Sequence, residues 1–213
     1  MTRLFRRRLG VPDLDVPWRD LEYCVADVET TGLDLRRDTL ISFGSVLVVS
    51  GRLRFRTRLS VNVRPSRQIS VAAMTVHGLR PQDLETEPPI DDVVDNIVAQ
   101  LDGRVLVAHA AWVERAFLRD PVRSAGRRWT PAVVDTAALL RATGVVRGGT
   151  GHEPDIEGVA EALGLCVHTP HQALGDALTT AEVFLALAAR IEKERGHLSG
   201  RELVDLSAGH SLA

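Results

Sequence analysis

Cysteine is scarce in this chain of 213 residues: only Cys24 and Cys166 occur. They form no C-x-x-C pair, which excludes the usual structural-zinc and dithiol motifs, and Cys24 lies in an apolar run where a free thiol behaves as a small hydrophobe. Lysine is scarcer still. Lys193 is the one lysine, and the arginine that replaces it elsewhere suits phosphate contacts but also reflects codon usage. An excess of one charge is missing too: 26 basic against 28 acidic residues leave a net charge of -2, so no overall field advertises a polyanionic partner and only a local basic patch would. No apolar run is long enough to span a bilayer, and the Arg-rich start lacks the apolar stretch of a signal peptide. The expectation is a soluble, intracellular, cytoplasmic protein with no membrane partner. There is no internal repeat, and a chain of this length fills one ordinary core.

What is present is a regular alternation of strand-like and helix-like runs. Residues 1–20 read as an Arg- and Pro-containing lead-in pinned through Pro17-Trp18, residues 21–195 as one domain, and residues 196–213 as a polar, weakly patterned tail. Within the domain, residues 21–27, 40–49 and 53–63 read as strands, the last two joined through Ser50-Gly51 as a hairpin. Helical spacing follows over 70–77 and 89–101, the second carrying Ile90, Val93, Val94, Ile97, Val98 and Leu101 on one stripe. Strands at 105–108 and 131–135 alternate with helices at 111–118 and 136–141. A Gly-rich loop over 143–154 and helices at 156–163 and 174–194 complete the pattern. This order implies an α/β fold, a mixed five-stranded sheet beginning with three antiparallel strands and flanked by helices on both faces.

Acids gather where such a sheet places its chemistry, at strand ends and on the helices packed there. Asp27-Val28-Glu29 closes the first strand, and residues two apart on a strand share a face, so both carboxylates stand side by side. Two solvated acids at a strand end are the ordinary outcome; in a buried setting the pair needs a cation, and oxygen ligands select a hard ion such as Mg2+ or Mn2+. Glu114 occupies the first turn of the helix after the fourth strand. His171 precedes Asp176 by five residues, which in continuous helix turns the two side chains about 140° apart. They share a site only if His171 lies in the loop entering the helix, an arrangement that Gly175 permits.

Together these segments resemble the DEDDh, DnaQ-like family of 3'-5' exonucleases. Asp27-Val28-Glu29-Thr30-Thr31-Gly32 is similar to the family's D-x-E-T-T-G, and His171-Gln172-Ala173-Leu174-Gly175-Asp176 to its third motif. Val76-His77-Gly78-Leu79 and Asp135-Thr136 match two further segments, and the resemblance runs over residues 21–191. The second motif departs: His109-Ala110-Ala111-Trp112-Val113-Glu114 stands where H-N-A-x-F-D is usual, so an amide is lost and an aspartate becomes the longer glutamate.

The resemblance implies an RNase H-like fold and a two-metal hydrolysis in which Asp27, Glu29, Glu114 and Asp176 bind two Mg2+ or Mn2+ ions and His171 is the general base. It further implies that Thr30, Thr31, Gly32, Leu33, His77 and His109 contact the last nucleotide of a single-stranded or frayed 3' end of DNA or RNA. For Leu33 a core position is the alternative, and for His77 and His109 a purely hydrogen-bonding one. A DNA polymerase is a further expected partner, as for an epsilon-like proofreading or repair nuclease. Two other readings fit the same residues: a catalytically weak nucleic-acid binding module, and a polymerase accessory protein docking through its Arg-rich start or its C-terminal tail.

Overall fold

The computed structural model describes residues 7–144 and 155–208. Five strands form the main sheet: β1 (Glu22–Thr30), β2 (Leu40–Val49), β3 (Arg52–Asn62), β4 (Val105–Ala108) and β5 (Val133–Asp135). They lie in the order β3-β2-β1-β4-β5, with the first three antiparallel and β4 and β5 parallel to β1. The β2–β3 hairpin turns through Ser50 (φ 54°) and Gly51 (φ 63°), the paired positive φ angles whose twist matches two antiparallel strands.

The helices are α1 (Val71–His77), α2 (Ile90–Leu101), α3 (Trp112–Ser124), α4 (Thr136–Thr143), α5 (Ile156–Ala162), α6 (Ala173–Arg195) and α7 (Gly200–Ala208). All the expected helices form, and α3 runs six residues beyond its expected end at 118 because Val122 carries the buried stripe of Phe117 and Leu118 onward. The Gly-rich loop lies, from residue 145, outside the described residues. No helix among the described residues is long and apolar enough to cross a membrane.

Alternation along β1 sorts the sheet into two cores. Tyr23 and Val25 join Val46, Val105, Val107, Leu139, Phe184 and Leu187 under α4 and α6, whereas Cys24, Ala26 and Val28 join Phe43, Leu106, Ile97, Phe117 and Leu118 under α2 and α3. Asp27 and Glu29 continue the odd-numbered series, so they emerge on the α6 face. The strand that opposes them carries Gly44, paired with Asp27. A Cβ at Gly44 would sit 2.1 Å from the backbone of Ala173 and Leu174, so only glycine lets the start of α6 press onto the sheet there.

The residues from Gly196 correct the expectation of a weakly patterned tail. Ser199 and Glu202 form a reciprocal cap, with the Ser199 N–H donating to Glu202 Oε2 (2.8 Å) and the Glu202 N–H to Ser199 Oγ (3.2 Å), and α7 follows with Leu203 fully buried. Backbone bonds tie this segment to the lead-in, from Trp18 N to Leu198 O (3.0 Å) and from Gly200 N to Val16 O (3.1 Å). Trp18 is itself fully buried against Phe184, as the Pro17-Trp18 pin requires. Arg7–Arg8 pairs with Arg127–Arg128 in a short parallel ladder that no apolar pattern announces.

Gly44→Ala is expected to lower stability by roughly 1–3 kcal/mol through overpacking, and to move the start of α6 away from Asp27. Urea denaturation measures the first effect, and a loss of divalent-cation affinity larger than the stability change explains would report the second.

Candidate active site

Side-chain oxygens of Asp27, Glu29 and Asp176 all lie within 4.8 Å of one another, although Asp176 comes from the far end of the chain. β1 supplies the first two by its alternation, and α6 supplies the third one turn in from the Gly44 contact. The pairing between β1 and β2 slips between Glu29 and Thr30, a bulge that ends the regular strand beside the acids.

Burial raises the pKa of each carboxyl, and their neighbours raise it further. Glu29 is pushed up to about 7 by burial and by Asp176, against the pull of His171. Asp176 rises to about 6 by burial, with Glu157 and Asp155 adding to it and His171 opposing. Asp27 lies well above the usual carboxylate range through burial and the charges of Glu114, Glu29 and Asp176. Carboxyls that hold protons in this way are poised to exchange them for a cation.

Glu114 is buried in the first turn of α3 and falls outside the group of three among the described residues. It still senses the same field. Burial raises its pKa, Asp135 and Glu29 raise it further, and its Oε2 is buried with no hydrogen-bond partner, an oxygen left open beside the cluster. Its helix begins on a strained turn, since Ala110 adopts φ 59°, a conformation that the asparagine usual at that motif position tolerates better than alanine. Asp135 holds this turn by accepting from the N–H groups of Ala110 and Ala111 (3.2 Å each) while also capping α4.

His171 lies in the turn before α6 with φ 58°, the placement that a site shared with Asp176 needs. Its backbone N–H donates to Asp176, and its exposed ring places Nε2 3.6 Å from Glu157 Oε1. A Cβ at Gly175 would sit 2.1 Å from Thr169 O, so glycine there admits the loop that carries His171.

Beside the acids is a pocket of about 340 Å³, lined by Glu29, Thr30, Gly32, Leu33, Val76, His77 and Val113 among others. Leu33 is 62 % exposed, which rules out the core alternative. His77 lines the pocket with both ring nitrogens engaged, Nε2 3.2 Å from Thr30 O and Nδ1 accepting from the Leu79 N–H (3.0 Å), and burial lowers its pKa. Thr30 lines it too, its hydroxyl donating to Gly32 O (2.8 Å).

Two expected contact residues stand elsewhere. Thr31 is fully buried, its hydroxyl donating to Asp38 (2.8 Å) and accepting from the Thr39 N–H (3.1 Å), so it shapes the turn and has no face toward the pocket. His109 does not line this pocket, and its Nδ1 lies 2.9 Å from Thr136 Oγ1, which joins the β4–α3 turn to the start of α4. Gly44, Asp135 and Glu157 join the site without having been expected there. An isolated glycine inside a strand was the available signal for the first, and an acid directly before a helical run for the second; Glu157 had none.

The mixed sheet, with carboxylates converging at the end of its central strand, has the RNase H-like fold. The sequence comparisons agree: residues 24–184 match the family model described as Exonuclease. The chain is 31 % identical over 182 residues to a PolC-type DNA polymerase III of Thermotoga maritima, covering 84 % of this chain but 13 % of that protein. It is 30 % identical to the DNA polymerase III subunit epsilon of Treponema pallidum, covering 80 % of this chain and 78 % of the relative. A structure of Exonuclease X in complex with 5' overhanging duplex DNA superposes with a TM-score of 0.65 at 24 % identity, covering 87 % of this chain and 99 % of that one, and so shares the fold. This chain belongs to the exonuclease family.

The raised acids set a pH dependence. Glu29 and Asp176 start from ordinary values of 4.5 and 3.8 and titrate at about 7 and about 6 in the fold, so the folded state binds their protons more tightly than the unfolded chain does. Their contribution to stability is therefore full below about pH 4 and is lost as pH rises to about 7. In EDTA, Glu29→Gln is expected to be increasingly more stable than the parent as pH rises through that window. Added Mg2+ or Mn2+ should raise the parent's Tm, and more so at pH 8 than at pH 5. Calorimetry at those two pH values checks both.

Proposed function

We propose that this chain is a metal-dependent 3'-5' exonuclease that removes nucleoside 5'-monophosphates from the 3' end of DNA or RNA. The observation that carries this reading is the convergence of Asp27, Glu29 and Asp176, from opposite ends of the chain, beside a pocket of nucleotide size. Their oxygen-only donor set, their raised pKa values and the unpartnered Glu114 Oε2 suit two hard divalent cations, Mg2+ or Mn2+. Such ions supply charge neutralisation and water activation when bound.

The chain's own groups supply the rest. The base of the terminal nucleotide rests against Leu33, Val76 and Val113, and its sugar lies over Thr30 and the Gly32 backbone. Gripping one nucleotide by sugar, phosphate and base face makes recognition largely blind to sequence. Water attacks phosphorus in line, the bond from phosphorus to the 3' oxygen breaks, and the water proton passes to His171, whose ring lies 3.6 Å from Glu157. The leaving oxygen takes a proton from solvent.

Relatives that bear polymerase III names support work beside a replicative polymerase in the cytoplasm, in proofreading or repair. Docking through the C-terminal segment would use the side of α7 turned away from α4 and β5, where Arg201 and Asp205 are exposed, or the residues that follow it.

The test is degradation of a 5'-labelled oligonucleotide, DNA and RNA in parallel, single-stranded or with a mismatched 3' end. Stepwise shortening that needs Mg2+ or Mn2+ is expected, and internal cuts or activity in EDTA would refute the reading. Asp27→Asn should lower kcat by at least ~10²–10³-fold, and His171→Ala by ~10²–10⁴-fold with cation affinity retained.

A further inference from the structure

The outward face of α3 is basic and carries an aromatic ring. Trp112, Arg115, Arg119 and Arg123 recur at intervals of three, four and four, which places them within about 80° of one another around the helix, with successive arginines about 6 Å apart along the axis. All four are exposed. Trp112 is 44 % exposed at the start of the helix, and Leu35 faces it at 56 %. A groove of about 290 Å³ runs between them, lined by Leu35, Trp112, Arg115, Ala116, Arg119 and Asp120.

Charge along this face is unbalanced. Asp120 is the acid in the groove, paired with Arg123 at 3.0 Å and 3.7 Å from Arg119, so this face of α3 carries three arginines against one aspartate, while Asp38 and Asp91 line the adjoining pocket on the side of Leu35 and Ala116. Arg115 has no acidic partner among the described residues. The face also adjoins the nucleotide pocket, since Val113 and Leu33 wall that pocket while Trp112 and Leu35 wall the groove. The arginines alone would be an ordinary solvated helix face; Trp112 adds a half-exposed aromatic ring beside them, next in sequence to Val113 of the nucleotide pocket.

We propose that this face of α3 is the track for the single strand on the 5' side of the nucleotide being removed. Trp112 stacks on a base near the scissile bond, and Arg115 and Arg119 take successive phosphates further along, the combination of stacking platform and cationic groove that holds single strands without reading their sequence. The proposal rests on the exonuclease reading of the adjoining pocket. It adds a strand length over which substrate is held and explains how a chain with net charge -2 grips a polyanion.

Anisotropy of a labelled oligothymidylate of about twelve nucleotides, measured in EDTA over a range of salt, reads strand capture apart from turnover. A parallel oligouridylate distinguishes a DNA strand from an RNA one. Arg115→Gln with Arg119→Gln should weaken binding about tenfold or more and flatten the slope of log K against log salt by roughly 1.4, at ~0.7 for each phosphate no longer neutralised. Trp112→Ala should weaken it about fivefold or more at every salt concentration. Hydrolysis in Mn2+ supplies the comparison: the ratio of kcat/KM for the oligonucleotide to that for a dinucleotide, too short to reach the arginines, should fall in the double variant. Unchanged affinity and slope, or an equal loss on the dinucleotide, would overturn the track. Failure of the unaltered protein to hydrolyse either substrate would count against the exonuclease reading instead, because the anisotropy does not depend on turnover.

Discussion

Three carboxylates crowd one half-buried cleft, and apolar packing must hold them there because they repel one another. The sheet commits Asp27 and Glu29 to one face by alternation, and the bare backbone of Gly44 lets α6 settle close enough to add Asp176. Burial raises all three pKa values and neighbouring carboxylates raise them further, Glu157 and Asp155 in the case of Asp176, which is the cost of assembling such a cluster. A divalent cation relieves both effects at once. The stability of the fold around the site and the affinity of the site for metal are thus two aspects of one electrostatic arrangement.

The second motif shows how the scaffold absorbs a departure. Glutamate at 114 and alanine at 110 replace the residues usual at those positions, and α3 consequently starts from a strained turn that Asp135 braces by accepting from two N–H groups. Glu114 then lies beside the cluster rather than within its closest group, with one oxygen still open. The longer side chain keeps the charge near Asp27 and Glu29 while the backbone that carries it is set by Asp135. Trp112 and Arg115 flank this glutamate, so the same first turn of α3 contributes to the acid site on its inner side and to the basic groove on its outer side.

Much of this arrangement is legible in the amino-acid sequence itself. Period-two and period-3.6 patterns locate the five strands and six of the seven helices, most of which bury an apolar stripe, although α1 buries only His77 and β3 is at most half-buried. The spacing from His171 to Asp176 lets the two share a site only with the histidine outside the helix, and it lies there. Helix α7 gives no such signal, although Ser199 and Glu202 are spaced for a capping box, since its apolar residues are few and mixed with charge. Thr31 departs from expectation because a motif names a residue without saying which way its side chain turns, and here the turn needs the hydroxyl for Asp38. Gly44 shows in the sequence only as a lone glycine inside a strand, and Glu157 acts through tertiary approach alone, which a single sequence does not encode locally.

The central claim is that the carboxylates of Asp27, Glu29 and Asp176 hold divalent metal in common. Anomalous diffraction from a crystal grown with Mn2+ tests it without reference to turnover. A manganese peak bonded to oxygens of all three residues is the predicted result; a cleft free of manganese at saturating concentration, or manganese bound only to other acids, would contradict it.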